Sequence, residues 1–180
     1  MEQAISPRIA ILTVSDRAAR GESADQSGPA LAVLLQARLG ISPVMQHLVA
    51  DEQDQIAAML REWADSAAYD VILTTGGTGL AARDVTPEAT AAVITRAAPG
   101  LAEAMRAASL AITPHAMLSR GVAGVRGRTL IVNLPGSPKA ACEMLEVIVS
   151  VLPHAVELLR QDALAVRYQH ARAGEHGQAG

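Results

Sequence analysis

The chain is 180 residues long, 50% hydrophobic and 18% charged, with a formal net charge of −3 at pH 7. That length suits a single domain with a core of useful size, and its apolar content excludes intrinsic disorder for the bulk of the chain. The mild acidic balance, with no Phe, one Trp and two Tyr, leaves neither the basic face nor the stacking platform of a nucleic-acid binder.

No apolar run nears the roughly 18 residues of a membrane span. The N-terminal MEQAISPRIAIL lacks the basic segment and long apolar stretch of a secretion signal. The single cysteine, Cys142, permits no internal disulfide and suits a reducing, cytoplasmic setting.

Short apolar runs alternate with segments of helical period, the pattern of stacked βαβ units. Arg8–Val14 reads as a buried strand. A helix is expected from about Pro29, where Leu31, Leu34, Leu35 and Leu39 recur at helical spacing, and Gly40 ends it. Pro43–Val49 reads as a second strand. Asp51 opens an acidic turn that suits the positive end of a helix, and Ile56, Met59, Leu60 and Trp63 then share one face. Val71–Thr75 reads as a central parallel strand and runs into Gly76-Gly77-Thr78-Gly79.

The next helix is expected at Pro87 with Thr86 as its N-cap, and another over Leu101–Ala111. Val122–Val125 and Thr129–Leu134 flank Arg126-Gly127-Arg128 as a hairpin. Ser137 and Pro138 start a helix through Met144, Leu145, Ile148 and Leu152, which Pro153 breaks or kinks before Val156 and Leu159. The fold class that follows is α/β: a three-layer α/β/α sandwich with a mostly parallel sheet and a short antiparallel hairpin at one edge. Residues 1–163 are expected to form the domain and 164–180 a mobile tail. There is no internal repeat.

In such sheets ligands bind beyond the carboxyl ends of the strands. Three loops leave strands at that edge: Ser15-Asp16-Arg17, Gly76–Asp84 and Asn133–Lys139. Gly76, Gly77 and Gly79 let backbone amides approach an anion closely, although a tight strand-to-helix turn needs glycine equally. The loop is not a Walker A motif, since no Gly-Lys-Ser/Thr ends it. Asp84 beside a phosphate loop would repel its ligand unless a cation such as Mg²⁺ intervened; as an alternative it closes an Asx-turn before Thr86-Pro87. Arg83 could contact phosphate directly.

Asp51 reads more simply as an N-cap in front of the acidic turn, which by itself accounts for it. Ser137 as N-cap and Pro138 at the first helical position would leave free amides for a second anion, and Lys139 in that first turn runs against the helix dipole. Ser15, Asp16, Ser119 and Arg120 are ambiguous by themselves. The five histidines show no metal-ligand spacing, and Cys142 reads as a core thiol.

Taken together, TVSDRAARGESADQSGPAL, LTTGGTGLAARDVTPEAT and NLPGSPKAACEML resemble the molybdopterin adenylyltransferases of molybdenum-cofactor biosynthesis, the Mog/MoaB-type family related to the gephyrin and plant Cnx G domains. The resemblance covers about residues 8–160. It implies an enzyme in which the terminal phosphate of molybdopterin attacks the α-phosphorus of ATP, giving adenylyl-molybdopterin and pyrophosphate with Mg²⁺ as cofactor.

It further implies that Asp51 and Asp84 are catalytic and metal-binding. Thr75, Gly76, Gly77, Thr78, Gly79, Asn133, Pro135 and Gly136 would hold nucleotide phosphates. Ser15, Asp16, Ser119, Arg120, Ser137 and Lys139 would face molybdopterin. A homotrimer, or a hexamer, and transient contact with a molybdenum-insertion enzyme are implied as well. The alternatives are a non-catalytic molybdopterin-binding module of the same fold, molybdate insertion, and, more distantly, a nicotinamide-dependent oxidoreductase. Leu101 stands where many relatives have Phe.

Overall fold

Every residue of the runs IAILTV, VILTT and TLIVNL is buried, and these runs become three adjacent strands of one sheet. A computed structural model describes residues 6–161. From the N-terminal side, β1 (Ile9–Val14) leads through one helical turn, α1 (Asp16–Ala19), to α2 (Ser27–Leu39), β2 (Met45–Val49) and α3 (Gln53–Asp65). Then come β3 (Val71–Thr75), α4 (Thr86–Ala91), β4 (Arg96–Ala97) and α5 (Pro99–Leu110). A 3-10 turn at Pro114–Leu118, β5 (Ala123–Arg126), β6 (Thr129–Leu134) and α6 (Pro138–Ile148) follow. A second 3-10 turn at Val149–Val151 passes to α7, helical over 152–161. The expected tail, 164–180, lies outside the described residues.

The sheet order is β2-β1-β3-β6-β5-β4, parallel through β6 and antiparallel from β6 to β5 and β4. Register is set by the alternation of side chains, with Ile11 opposite Leu73 and Leu73 opposite Val132. Ile9, Ile11, Val71, Leu73, Leu130 and Val132 face one layer, against Leu31 and Leu35 of α2, Met105 of α5 and Leu145 and Ile148 of α6. Ala10, Leu12, Ile72 and Ile131 face the other, against Ile56, Leu60 and Trp63 of α3 and Ala89 of α4. The three-layer α/β/α sandwich with its antiparallel hairpin is thus the fold.

Several local expectations shift. β2 begins at Met45, two residues beyond Pro43, and is mostly exposed because it is an edge strand. The helix expected at Pro29 starts at Ser27, and its stop at Gly40 takes a left-handed φ of 67°. Neither α1 nor the two-residue β4 was anticipated. Thr86 does not cap α4 but is its first residue, and its hydroxyl is engaged elsewhere. Pro153 does coincide with a change of helix: the 3-10 turn at Val149–Val151 separates α6 from α7. Among the described residues no helix is long and apolar enough to cross a membrane.

At the amino edge of the sheet, Asp70 is 1% exposed and accepts hydrogen bonds from Arg8 (Nε at 3.0 Å, Nη2 at 2.9 Å) and Arg160 (Nε at 3.1 Å, Nη2 at 2.7 Å). This bidentate double pairing ties the start of β1 and α7 to the start of β3. It leaves the opposite, carboxyl edge to the long loops.

Candidate active site

The chain leaves β2 and re-enters the sheet on the far side of β1, so the order reverses between β1 and β3. A crevice opens at such a switch point. The loops after β1, β3 and β6 all reach it. Gly76 directly follows β3 with φ of 106°, and its amide donates to Leu134 O at 3.1 Å. A Cβ there would strike Val14 O, so only glycine lets these two strand ends approach. Gly77 has φ of 63°, and a Cβ on it would crowd Thr86 Oγ1 and lie 3.0 Å from Asp51 Oδ1. The turn therefore brings a carboxylate against the loop backbone.

Two cavities meet at this turn. The first, about 430 Å³, is lined by Thr13, Ser15, Asp25, Asp51, Thr75, Gly76, Gly77, Asp84, Gly136 and neighbours. The second, about 410 Å³, is lined by Gly77, Thr78, Gly79, Asp84, Ser119, Pro135, Gly136, Glu143, Met144 and neighbours, including Ala116, Leu118 and Ala140. Gly77, Asp84 and Gly136 border both. The first is rich in carboxylates and hydroxyls, the second in aliphatic side chains. Among the described residues the amides of Gly77, Thr78 and Gly79 have no hydrogen-bond acceptor, a ready set of donors for an anion at the shared wall.

Asp51 does not cap α3; Glu52 precedes that helix, and neither makes a capping hydrogen bond. Instead the Asp51 carboxylate accepts the Asp16 amide at 2.7 Å, and Asp16 Oδ1 accepts the Asp51 amide at 3.0 Å. Burial pushes the Asp51 carboxyl above its ordinary pKa; the Asp16 amide opposes this, and the charges of Asp16 and Asp84 add to it. For Asp16, desolvation acts upward, but hydrogen bonds from Arg83 and the Asp51 amide hold the carboxyl below its ordinary value. Arg83 is engaged with Asp16 (Nε at 3.0 Å, Nη2 at 2.9 Å) and Glu52 at 2.9 Å. It is therefore a bracket for the acidic loop in this structure, not a free phosphate contact.

The Asx-turn expected from Asp84 onto Thr86 does not form, because the Thr86 amide donates to Gly77 O instead. Asp84 Oδ2 accepts the Ala81 amide at 2.9 Å, and the Asp84 amide donates to Ala81 O at 2.9 Å, so Asp84 closes the turn that precedes it while lining both cavities. Asp51 and Asp84 line one cavity together. Among the described residues no cluster of three or more His, Cys, Asp or Glu could hold a metal. Two hard carboxylates do fit Mg²⁺, which commonly takes one or two protein carboxylates and completes its shell with phosphate oxygens and water.

The other expected residues separate. Thr75 is buried and its hydroxyl donates to Pro135 O at 2.7 Å, tying the loops after β3 and β6 together. Asn133 is 2% exposed; its amide donates to Thr74 Oγ1 at 2.9 Å and Thr90 Oγ1 at 2.8 Å, and its carbonyl accepts Val122 N at 3.2 Å. Both of its N–H donors are thereby taken within the sheet and α4, and it borders neither cavity.

Ser15 lines the first cavity and caps α1 by accepting the Ala18 amide at 3.3 Å, whereas Ser119 lines the second. Ser137 precedes α6 without a capping hydrogen bond. Lys139 is 82% exposed, 3.8 Å from Glu143. Arg120 donates to Gly79 O, Asp84 O and Glu88. Cys142 is half-buried beside the core.

Sequence reasoning missed Asp25, whose carboxylate accepts Thr13 Oγ1 at 2.7 Å and the Gly28 amide at 3.1 Å while lining the first cavity. An Asp three residues before a helical Gly is an available signal for such a cap. It missed Glu143 and Met144 because their i, i+4 neighbours read as an ordinary amphipathic helix.

Comparison with known proteins identifies the family. Residues 10–154 match the family described as a probable molybdopterin binding domain. The chain is 42% identical over 167 residues to the molybdopterin adenylyltransferase of Helicobacter pylori J99, spanning 92% of this chain and 94% of that one. It is 45% identical over 161 residues to the molybdenum cofactor synthesis protein cinnamon of Drosophila melanogaster, but covers only 27% of that longer protein. The crystal structure of the molybdopterin biosynthesis enzyme MoaB from Thermus thermophilus superposes with a TM-score of 0.80 at 55% identity, covering 86% of this chain and 96% of that one.

Proposed function

The chain belongs to the MoaB/Mog-type molybdopterin adenylyltransferase family, and from that premise we propose that it joins an adenylyl group to molybdopterin across the wall shared by its two cavities. It is a nucleotidyltransferase of molybdenum-cofactor biosynthesis: the terminal phosphate of molybdopterin attacks the α-phosphorus of ATP, the bond to the β-phosphate breaks, and pyrophosphate leaves. The observation that carries this reading is the meeting of a polar and an aliphatic cavity on Gly77, Asp84 and Gly136. Two reactants held in adjoining cavities come together only there, and holding them aligned removes much of the entropic barrier.

The chemistry asks more for charge control than for a protein nucleophile. The unengaged amides of Gly77, Thr78 and Gly79 hold phosphate oxygens at the wall. Asp51 and Asp84 would hold Mg²⁺, which when bound screens the phosphates from one another and from the carboxylates. Asp16 positions Asp51 through the exchanged amide bonds. Ser15 borders the polar side and Ser119 the aliphatic side; Ser137 and Lys139 flank Pro138, which lines the polar cavity, but line neither cavity themselves.

We assign this activity to one domain over residues 1–163, supported by the family match over 10–154. We also infer a homotrimer; the exposed Leu110, Ile112, Met117 and Leu118 offer apolar surface for self-association. A lone thiol and small anionic substrates suit the cytoplasm.

The test is release of pyrophosphate from ATP and Mg²⁺ by the full chain, with and without molybdopterin. Release that depends on molybdopterin supports the reading. Binding of molybdopterin without any pyrophosphate release would leave a binding module instead.

A further inference from the structure

A trans peptide plane fixes its N–H and C=O on opposite sides. In the turn after β3, four consecutive carbonyls are gathered behind the loop by two residues. Thr86 takes the first pair: its hydroxyl donates to Gly76 O at 2.8 Å and its amide to Gly77 O at 3.1 Å. Arg120 takes the second pair: its amide donates to Thr78 O at 3.0 Å and its Nε to Gly79 O at 2.6 Å. The planes of these peptides are thereby set, and the amides of Gly77, Thr78, Gly79 and Leu80 are turned the other way. None of those four finds an acceptor among the described residues.

Thr86 is 0% exposed, and Arg120 is itself held. The Arg120 guanidinium also donates to Asp84 O and pairs with Glu88. Arg106 Nη1 donates to Ser119 O at 3.0 Å and fastens the segment on which Arg120 sits.

We propose that Thr86 and Arg120 are positioning residues that orient the amides of the phosphate loop from behind, and that Arg120 acts through this loop without touching substrate. Donors fixed in advance need no reorganisation when an anion arrives, which is where such a site gains its strength. A loop with free-swinging peptides would have to order them on binding, at a cost in affinity. This assignment rests on reading the loop as the triphosphate site.

The experiment measures MgATP affinity by calorimetry on the full chain, with ¹H–¹⁵N spectra of the Gly77 and Gly79 amides and a thermal midpoint for each variant. Thr86→Val deletes only the hydroxyl donor, and Thr86→Ser keeps it. Arg120→Ala deletes the fork, and Arg120→Lys keeps the charge without it. Thr86→Val and Arg120→Ala are each expected to weaken MgATP about tenfold, roughly the effect of one lost ordering contact. Arg120→Lys should be weakened likewise. Thr86→Ser should bind as the wild type does, and the Gly77 and Gly79 amide shifts at saturating ATP should differ from those of the wild type only in the weakened variants.

A purely structural role would lower the midpoint while leaving affinity and amide shifts intact, and that result overturns the proposal with the functional reading untouched. If the wild type itself takes up no MgATP, both fall together. Should Arg120→Ala not fold, the Thr86→Val and Thr86→Ser pair decides alone.

Discussion

Asp16 and Asp51 exchange hydrogen bonds: each carboxylate accepts the other's main-chain amide, at 2.7 and 3.0 Å. The carboxyl ends of β1 and β2 are thus locked side by side, and the remaining oxygen of Asp51 is held beside Gly77. The pair is a small rigid frame, and Arg83 braces it from the loop after β3.

Asp84→Asn retains an oxygen able to accept the Ala81 amide but removes the charge. Turnover should fall by about 10²-fold, the order for losing one electrostatic stabiliser, with the thermal midpoint nearly unchanged. Pyrophosphate release under saturating ATP measures it; near-normal turnover would show that the Asp84 charge is not used.

Asp51→Asn should also lower turnover, and the double variant should fall by less than the product of the two single effects. Groups that act on one ion are not additive. A double-mutant cycle on kcat/KM reads the coupling. Strict additivity would separate the two carboxylates functionally.

Gly76→Ala and Gly127→Ala both place a side chain at positive φ, 106° and 57° respectively. A Cβ at Gly127 meets nothing within 4 Å, whereas at Gly76 it strikes Val14 O. The hairpin variant should cost about 1 kcal/mol from backbone strain alone, and the loop variant markedly more. Urea unfolding of the two proteins ranks them; equal costs would contradict the close approach of β1 and β3.

Asp70 bears on acid stability. Burial opposes its charge, yet hydrogen bonds from Arg8 and Arg160 hold its carboxyl far below the ordinary range. The folded value is depressed, so the stabilisation is complete above the unfolded pKa of about 4 and drains as pH falls below it. Asp70→Asn should lose about 3 kcal/mol at neutral pH, as when one partner of a buried ion pair is removed. It should also show a shallower decline below pH ~4 than the wild type. Thermal melts across that range provide the check.

The sheet was legible because β1, β3 and β6 are short, mostly apolar runs rich in β-branched residues, too short for a helix and suited to strands covered on both faces. The three loops at the carboxyl edge followed from topology, so Gly76, Gly77 and Asp84 could be located before any coordinates. What escaped notice depends on partners distant in sequence. Thr86 looked like a helix cap because Pro87 follows it, but Gly76 O, ten residues earlier, claims the hydroxyl. Asp51 looked like a cap because an acidic turn follows it, while its partner lies 35 residues away. β4 has no pattern of its own; pairing with β5 makes it a strand.

The three residues common to both cavities have a consequence for what happens after the reaction. In the proposed reaction the joined product would straddle that boundary and be held at each end, so neither end could leave far while the other stayed seated. Rebinding of a loosened half is then favoured by its high local concentration. Escape of the whole product is therefore expected to be slower than escape of either half alone.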